Sequence, residues 1–400
     1  MATTLLAAAL AATGLAAAPP SAGTTALSAP NDPLLSSQYG PQQVRADRVW
    51  SQVTGAGAVI AIVDSGVDLD HEDLAANVVT GNTFLDCGSR GCGNGDWESV
   101  EGEGDPHGTH VAGIAAAVGG NGRGIVGVAP DATILPVKAL GADGSGSFTD
   151  IAHGIRWSAD RGADVINLSL GALPGVQALT FTGLLSDVTD AIAYARAKGA
   201  VVVAASGNEA SPLCSTPGFD AGAICVTATD RFEARAWYSN APVKPDLLSV
   251  AAPGGAGIGF LCGTDIVSTV PAGTGSSACG YPTSRAYDEY AGTSMATPHV
   301  AGVAALLASL GCTGTQVEQV LTSTARTPGP VAVRGVWDPG YGYGIVDAQA
   351  AVSAATAGAC TTAGGGGSDT GGGTGGGTGS GSDKPGKGGG NGGGNGKKGG

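Results

Sequence analysis

Four short apolar runs alternate with helical patterns along this chain, and this alternation constrains the fold more than any other feature. The runs are rich in Val and Ile and lack alternating polar residues, as strands buried on both faces do. They are Ala58–Val63, Ala132–Ala139, Asp164–Leu168 and Ala200–Ala205. The helical patterns are Gly108–Val118, Thr149–Arg161, Ser186–Lys198 and Ser294–Leu310. Strand–helix alternation at this spacing predicts an α/β fold with a mainly parallel sheet and helices on both faces.

Three polar motifs border these segments and bring Asp, His and Ser into the chain in that order. They are Asp64-Ser65-Gly66, His107-Gly108-Thr109-His110 and the run from Gly292 to Gly302, which contains Ser294. A serine hydroxyl becomes nucleophilic when a histidine accepts its proton, and a buried carboxylate orients that histidine. In parallel sheets, active sites gather at the carboxyl ends of the strands, where Asp64 lies. We therefore predict that Asp64, His107 and Ser294 form a catalytic triad.

The run around Ser294 also predicts a helix that begins at the serine, with Thr293 or Ser294 as its N-cap. The Ser294 N–H would then be one of the unpaired donors of the first turn, available to an oxyanion. Pro298 is expected to lie early enough in this helix that its missing N–H costs little.

Each motif taken alone also has a simpler interpretation. Asp-Ser-Gly recurs as an ordinary turn, and His107 with His110 could be a metal pair, although no third ligand accompanies them. We interpret the remaining histidines as structural or surface residues: His71, His110, His153 and His299. The combination of three motifs in one order is what favours catalysis.

Together these motifs resemble the subtilases, the subtilisin-like serine peptidases, and the resemblance extends from about Asn31 to Val352. It implies the subtilisin-like three-layer αβα fold, with His107 rather than His110 as the base. It also implies that Asn208, in Ser206-Gly207-Asn208, donates its side-chain N–H to an oxyanion beside the Ser294 N–H.

The resemblance also implies a substrate cleft with two walls. Gly144, Ser145 and Gly146 resemble one wall, and the opposite wall is formed by Ser169, Leu170 and Gly171. An extended peptide between the walls would become a strand, so its main chain would supply affinity and its side chains specificity. Outside the family context, Gly144–Gly146 reads as a flexible loop.

A calcium site is a further implication of the resemblance. The side-chain ligands would be Asp32, Asp73 and Asn121, and the main-chain carbonyls would come from Val118, Arg123 and Ile125. An all-oxygen set suits Ca²⁺, a structural cofactor here. The alternative is an ordinary glycine-rich turn over Val118–Ile125.

The chain has eight cysteines and no Cys-x-x-Cys pair, which argues against structural zinc. We expect disulfides, and neighbour pairing is the simplest arrangement because each bond closes a local loop: Cys87–Cys92, Cys214–Cys225, Cys262–Cys279 and Cys312–Cys360. The alternative is free buried cysteines in a reducing compartment.

Both ends of the chain differ from its centre. Residues 1–20 are Ala-rich and suit a signal peptide, although no basic residue precedes the apolar stretch; a disordered leader is the alternative. Residues 361–400 are mostly Gly and predict a disordered tail, which leaves residues 31–360 as the peptidase domain.

The sequence therefore predicts a secreted, calcium-stabilised serine endopeptidase, monomeric, that acts on proteins or peptides. A net charge of −14 disfavours nucleic acid as a partner, and we expect no membrane span. Two other functions stay open. One is a non-catalytic binding module with the same fold, and the other is an esterase that uses the same triad.

Overall fold

One seven-stranded parallel sheet organises the chain. The computed structural model describes residues 26–27, 30–98, 104–172, 186–259, 261–276, 278–281 and 284–361. The strands are β1 (Val59–Asp64), β2 (Asn82–Thr83), β3 (Thr133–Lys138), β4 (Val165–Leu168), β5 (Val201–Ala205), β6 (Ala223–Thr229) and β7 (Ser249–Pro253). Their order in the sheet is β2-β3-β1-β4-β5-β6-β7, and all neighbouring strands are parallel.

Helices cover both faces of this sheet. They are α1 (Gly40–Gln43), α2 (His107–Ala116), α3 (Phe148–Asp160), α4 (Ser186–Ala197), α5 (Thr293–Ser309), α6 (Gly314–Thr324) and α7 (Ala348–Ala354), which continues into a π-helical turn at Ala355–Ala359. Short 3₁₀ turns occupy Leu35–Ser37, Ala46–Arg48 and Gly88–Arg90. No described helix is long and apolar enough to cross a membrane.

The strand β1 shows how the two apolar layers are separated. Ile60 and Ile62 pack in the core that contains α2 and α5, whereas Ala61 and Val63 pack in the core that contains α3 and α4. Successive side chains of a strand point to opposite faces, so an all-apolar strand serves two cores at once. The predicted three-layer αβα architecture is confirmed.

The predicted strands and helices are present with small shifts at their ends. Helix α2 begins at His107 and ends at Ala116 rather than spanning Gly108–Val118, because Ala117 is extended and the Val118 N–H donates to the Asp73 carbonyl at 2.9 Å. Three strands of the seven-stranded sheet, β2, β6 and β7, were not predicted. Strand β2 has only two residues, β6 is rich in Ala and Thr, and β7 ends at Pro253, so none gives a continuous Val/Ile run.

An antiparallel hairpin of β8 (Ile266–Thr269) and β9 (Tyr287–Tyr290) leads directly into the segment that carries Ser294. At the end of β9, the Gly292 N–H donates to the Gly254 carbonyl, just past β7, at 2.8 Å. The start of α5 is thereby attached to the sheet.

The neighbour pairing predicted for the cysteines is confirmed. The structure contains the Cys87–Cys92, Cys214–Cys225, Cys262–Cys279 and Cys312–Cys360 disulfides. The predicted leader at 1–20 and the predicted tail beyond Thr361 lie outside the described residues.

Candidate active site

The end of β1 and the start of α2 place Asp64 against His107. The His107 Nδ1 lies 2.7 Å from the Asp64 Oδ1. Gly108 makes this approach possible, since a methyl group there would lie 2.2 Å from the Gly66 carbonyl oxygen. The glycine in the His-Gly-Thr-His motif is therefore required by the close contact between helix and strand.

The Asp64 carboxylate controls the electrostatics of His107. Asp64 is fully buried, and its Oδ1 also accepts the Ser65 N–H at 2.7 Å. Burial lowers the pKa of His107, but the charge and hydrogen bond of Asp64, helped by Asp105, outweigh it and leave the pKa raised. With Nδ1–H donated to Asp64, the neutral ring carries its lone pair on Nε2 and can accept a proton there.

Ser294 is the second residue of α5, and the predicted cap is wrong. Gly292 is the N-cap and provides no side chain, and Thr293 is already helical. Asn208 takes over the capping role: its Oδ1 accepts the Thr293 N–H at 2.9 Å and the Thr293 hydroxyl at 3.1 Å. A residue 85 positions away in the chain therefore satisfies the first donor of the helix.

Two N–H donors border the space beside Gly292. A methyl carbon built on Gly292 would lie 3.5 Å from the Asn208 Nδ2 and 3.6 Å from the Ser294 nitrogen. Within the described ranges, neither nitrogen donates a hydrogen bond to another protein group. Two free donors around a space kept open by glycine can stabilise an oxygen that gains negative charge.

The structure brings the predicted site residues to one region without pairing all of them. In the described part of the chain, the Ser294 hydroxyl makes no hydrogen bond with His107. Catalytic hydrogen bonds are often long in enzymes without substrate and shorten when substrate binds. Ser169, which shares a cavity with His107, contacts the Ser294 carbonyl at 2.8 Å and so links the two halves of the site.

All six predicted cleft residues line one cavity of about 530 Å³ together with His107. They are Gly144, Ser145, Gly146, Ser169, Leu170 and Gly171. The N–H groups of Gly146 and Gly171, two of these wall residues, donate to no described protein group. Unpaired main-chain donors are what an added peptide strand requires.

Sequence reasoning missed five residues that line the same cavity. They are Asp105, Leu140, Phe148, Ile151 and Ala172. Leu140, Phe148 and Ile151 supply its apolar surface, and Phe148 and Ile151 come from the first turn of α3. Two of the five could have been predicted from their places in the chain. Leu140 comes just after β3, and Ala172 comes just after the Ser169–Gly171 wall.

The comparisons with known proteins agree with this geometry. A model of the subtilase family matches residues 55–344. The chain belongs to the subtilase family. Thermitase from Thermoactinomyces vulgaris is 43% identical over 297 residues, which cover 74% of this chain and 91% of that protein. A thermophilic serine proteinase from Bacillus sp. (strain AK1) is 41% identical over 289 residues, 72% of this chain and 61% of that protein.

A solved structure supports the fold independently. One of the proteases from Pseudoalteromonas arctica PAMC 21717 superposes with a TM-score of 0.67 at 34% identity, covering 82% of this chain and 100% of that chain. The predicted family resemblance is therefore confirmed, and this subtilase is a serine-type endopeptidase.

Three of the other histidines of this subtilase are held in structural positions. His110 stacks on Tyr290 with ring centroids 4.3 Å apart, and burial lowers its pKa to about 3. Burial also lowers the pKa of His299 to about 4, and its Nδ1 lies 2.9 Å from the Met295 carbonyl. His71 is buried with its Nε2 3.0 Å from the Ala286 carbonyl. His107 is the histidine among these with a raised pKa and access to the cleft.

The predicted calcium residues lie together around the Val118–Ile125 loop. The Asp32 carboxylate accepts the Gly120 N–H at 2.8 Å and the Asn121 N–H at 3.2 Å. The Asp73 carboxylate accepts the Asn121 Nδ2 at 2.7 Å and the Ile125 N–H at 2.9 Å. Arg123, also predicted as a ligand, donates its N–H to the Asn121 Oδ1 at 2.7 Å.

The chemistry of this loop fits a hard cation. Asp73 is fully buried, and burial raises its pKa to about 7; the nearby Asp32 and Glu72 carboxylates add to the rise. A bound cation would offset the free-energy cost of burying the ionised Asp73 carboxylate. Two carboxylates, one amide and several carbonyls form the oxygen-rich set that Ca²⁺ takes. Because Asn121 presents its NH₂ to Asp73, its amide would have to rotate to offer oxygen to the ion.

Proposed function

We propose that the chain is a secreted, calcium-stabilised serine endopeptidase that cleaves peptide bonds through an acyl-enzyme on Ser294. The carrying observation is the 2.7 Å contact between His107 and buried Asp64, with His107 lining the same cavity as both predicted cleft walls. Four disulfides support an oxidising compartment and hence secretion.

The proposed reaction begins with attack of the Ser294 Oγ on the substrate carbonyl. His107 Nε2 accepts the serine proton, and Asp64 stabilises the resulting imidazolium. The Ser294 N–H and the Asn208 Nδ2 hold the oxyanion in the space beside Gly292. His107 then donates the proton to the leaving amine, which departs and leaves the acyl-enzyme on Ser294. Water attacks the acyl carbonyl while His107 accepts a proton from the water, and His107 then returns a proton to the Ser294 Oγ as the acid leaves.

The two cleft walls determine what the enzyme accepts. Main-chain donors of Gly146 and Gly171 recognise features common to all peptides, so we propose protein and peptide substrates of broad sequence. Apolar residues Leu140, Phe148 and Ile151 would favour an apolar substrate side chain in the cavity.

Hydrolysis of matched substrates separates this proposal from the two alternatives. The purified full chain would be given casein, a peptide p-nitroanilide and a short p-nitrophenyl ester. A peptidase cleaves all three. Hydrolysis of the ester alone would support the esterase, and binding of casein without turnover would support a non-catalytic module.

We predict that kcat/KM falls as the pH is lowered, and that the midpoint of this fall lies above the ordinary histidine pKa of about 6.5. Protonated His107 cannot accept the serine proton, so activity is present above its pKa and is lost as the pH falls through it. Because Asp64 and Asp105 raise that pKa, the midpoint is raised as well. Asp105→Asn should lower it, as measured from pH–rate profiles.

A matched control for this change is Asp246→Asn, which removes an exposed carboxylate paired with Lys244. It should leave the midpoint where the wild type has it. An Asp105→Asn profile that coincides with the wild type would contradict the electrostatic account of His107.

We predict that calcium sets thermal stability rather than the chemistry. An ion that binds only the native state stabilises it by about 2.7 kcal/mol at one hundred times its Kd. Chelation should therefore lower Tm. Asp73→Ala should remove most of the calcium dependence of Tm, and Asn121→Ala should remove less because it deletes a neutral ligand.

These melting curves are best measured by calorimetry in a Ser294→Ala background, where self-cleavage cannot interfere. Asp246→Ala is the control, since it removes an exposed carboxylate that is paired with Lys244 and is not a predicted ligand. Equal Tm values in excess calcium and in chelator would show that Val118–Ile125 is only a turn.

A further inference from the structure

Pro298 leaves the main chain of Ser294 without its normal helical partner. In an α-helix the carbonyl of residue i accepts the N–H of residue i+4, and proline has no N–H. Pro298 is the sixth residue of α5, beyond the first turn, so its missing N–H removes a bond that the helix would otherwise make. That this costs little stays a prediction. The carbonyl left without a donor belongs to the residue that bears the proposed nucleophile.

Ser169 provides the missing donor from another part of the chain. The Ser169 hydroxyl donates to the Ser294 carbonyl at 2.8 Å, and Ser169 is only 2% exposed to solvent. Ser169 directly follows the carboxyl end of β4, so this bond connects the centre of the sheet to the first turn of α5.

Asn167 sets the direction of this hydroxyl. The buried Asn167 Nδ2 donates to the Ser169 Oγ at 2.9 Å. Because that bond uses a lone pair of the oxygen, the hydroxyl proton is left to point at the Ser294 carbonyl. Two hydrogen bonds therefore run in one direction, from the Asn167 amide to the Ser169 hydroxyl and from that hydroxyl to the Ser294 carbonyl.

We infer that Ser169 is a positioning residue whose hydroxyl substitutes for the N–H that Pro298 lacks and holds the main chain of Ser294 in place. The inference rests on the proposed role of Ser294 as nucleophile. A held Ser294 carbonyl fixes the peptide plane that follows the Ser294 Cα, and so restrains the Cα that carries Oγ. The Ser169 side chain therefore serves the nucleophile, while its main chain remains part of the cleft wall.

This account predicts that two substitutions compensate each other. Ser169→Ala leaves the Ser294 carbonyl unpaired, whereas Pro298→Ala supplies a helical N–H for the same carbonyl. In the full chain, Ser169→Ala should lower kcat and the rate of labelling by a fluorophosphonate about tenfold, the effect of one unmade hydrogen bond at the nucleophile. KM and the acidic midpoint of the pH profile should stay near wild type, because the cleft main chain and His107 are unchanged.

In the Pro298→Ala background, the same Ser169→Ala change should lower kcat by less than about threefold. The N–H of Ala at position 298 can now donate to the Ser294 carbonyl, so the Ser169 hydroxyl is no longer needed there. Ser158→Ala is the control for removal of a buried serine hydroxyl. Ser158 is buried, and its hydroxyl donates to the Gly154 carbonyl in α3 at 2.7 Å, away from the cleft. It should leave kcat unchanged.

The outcomes separate this inference from the proposed function. Suppose that the wild type is active. If Ser169→Ala then lowers kcat by the same factor in both backgrounds, or raises KM alone, only the positioning role is overturned. A kcat loss in Ser158→Ala equal to that in Ser169→Ala would also overturn it, because a general loss of stability would explain both. A folded wild type that neither hydrolyses peptides nor reacts with the probe would overturn both proposals.

Discussion

Ser294→Ala is expected to abolish peptide hydrolysis while the protein stays folded. The substitution removes the attacking oxygen and nothing else in contact with the core, since Ser294 is the second residue of α5 and its side chain is half-buried. Loss of a triad residue lowers kcat by many orders of magnitude, to a residual rate of about 10³–10⁴ over water. These magnitudes are established for serine peptidases, including members of this family.

The control for this substitution is Ser309→Ala, at the opposite end of the same helix. Ser309 donates its hydroxyl to the Leu306 carbonyl, so the change removes a similar group far from the cleft. Rates on a peptide p-nitroanilide should be near wild type for Ser309→Ala and undetectable for Ser294→Ala. Undiminished hydrolysis by purified Ser294→Ala would refute the assignment of the nucleophile.

Asn208→Leu is expected to lower kcat by about 10²–10³ with KM nearly unchanged, the range known for an oxyanion-hole donor in this family. The Asn208 amide donates to an oxygen that becomes charged only in the transition state, so ground-state binding should change little. Steady-state kinetics on the peptide substrate measure both constants.

Asn208 also caps α5 through its Oδ1, so a second variant is needed to separate the two roles. Asn208→Asp keeps an oxygen that can accept the Thr293 N–H and removes the donor. If the oxyanion role is correct, Asn208→Asp should lose at least as much kcat as Asn208→Leu. Recovery of kcat in Asn208→Asp would instead show that the loss came from the helix cap.

Local patterns accounted for the layers of the fold and for the triad motifs. The strand β1 is an apolar run because both of its faces are buried, and Asp64 stands out as the charged residue at its carboxyl end. The His-Gly-Thr-His and Gly-Thr-Ser-Met segments each bring a functional residue and its glycine together within a few positions. Such signals can be read without knowledge of the tertiary structure.

What the sequence did not reveal depends on contacts between distant residues. Asn208 caps a helix that begins 85 residues later, and Ser169 donates to a carbonyl 125 residues later. Neither contact leaves a pattern near Thr293 or Pro298. The apolar lining from Leu140 and Phe148 was missed for the same reason, because only the assembled sheet brings β3 and α3 to one cavity.

The most direct test of the central claim is to label the purified chain with a fluorophosphonate probe and map the modified residue by mass spectrometry. The probe reacts with serines activated by a neighbouring base, so the same measurement reports activity and nucleophile. We predict one modification, on the peptide that contains Ser294, and its loss at pH values where His107 is protonated. Labelling of a different residue, or none in a folded and disulfide-bonded protein, would contradict the account.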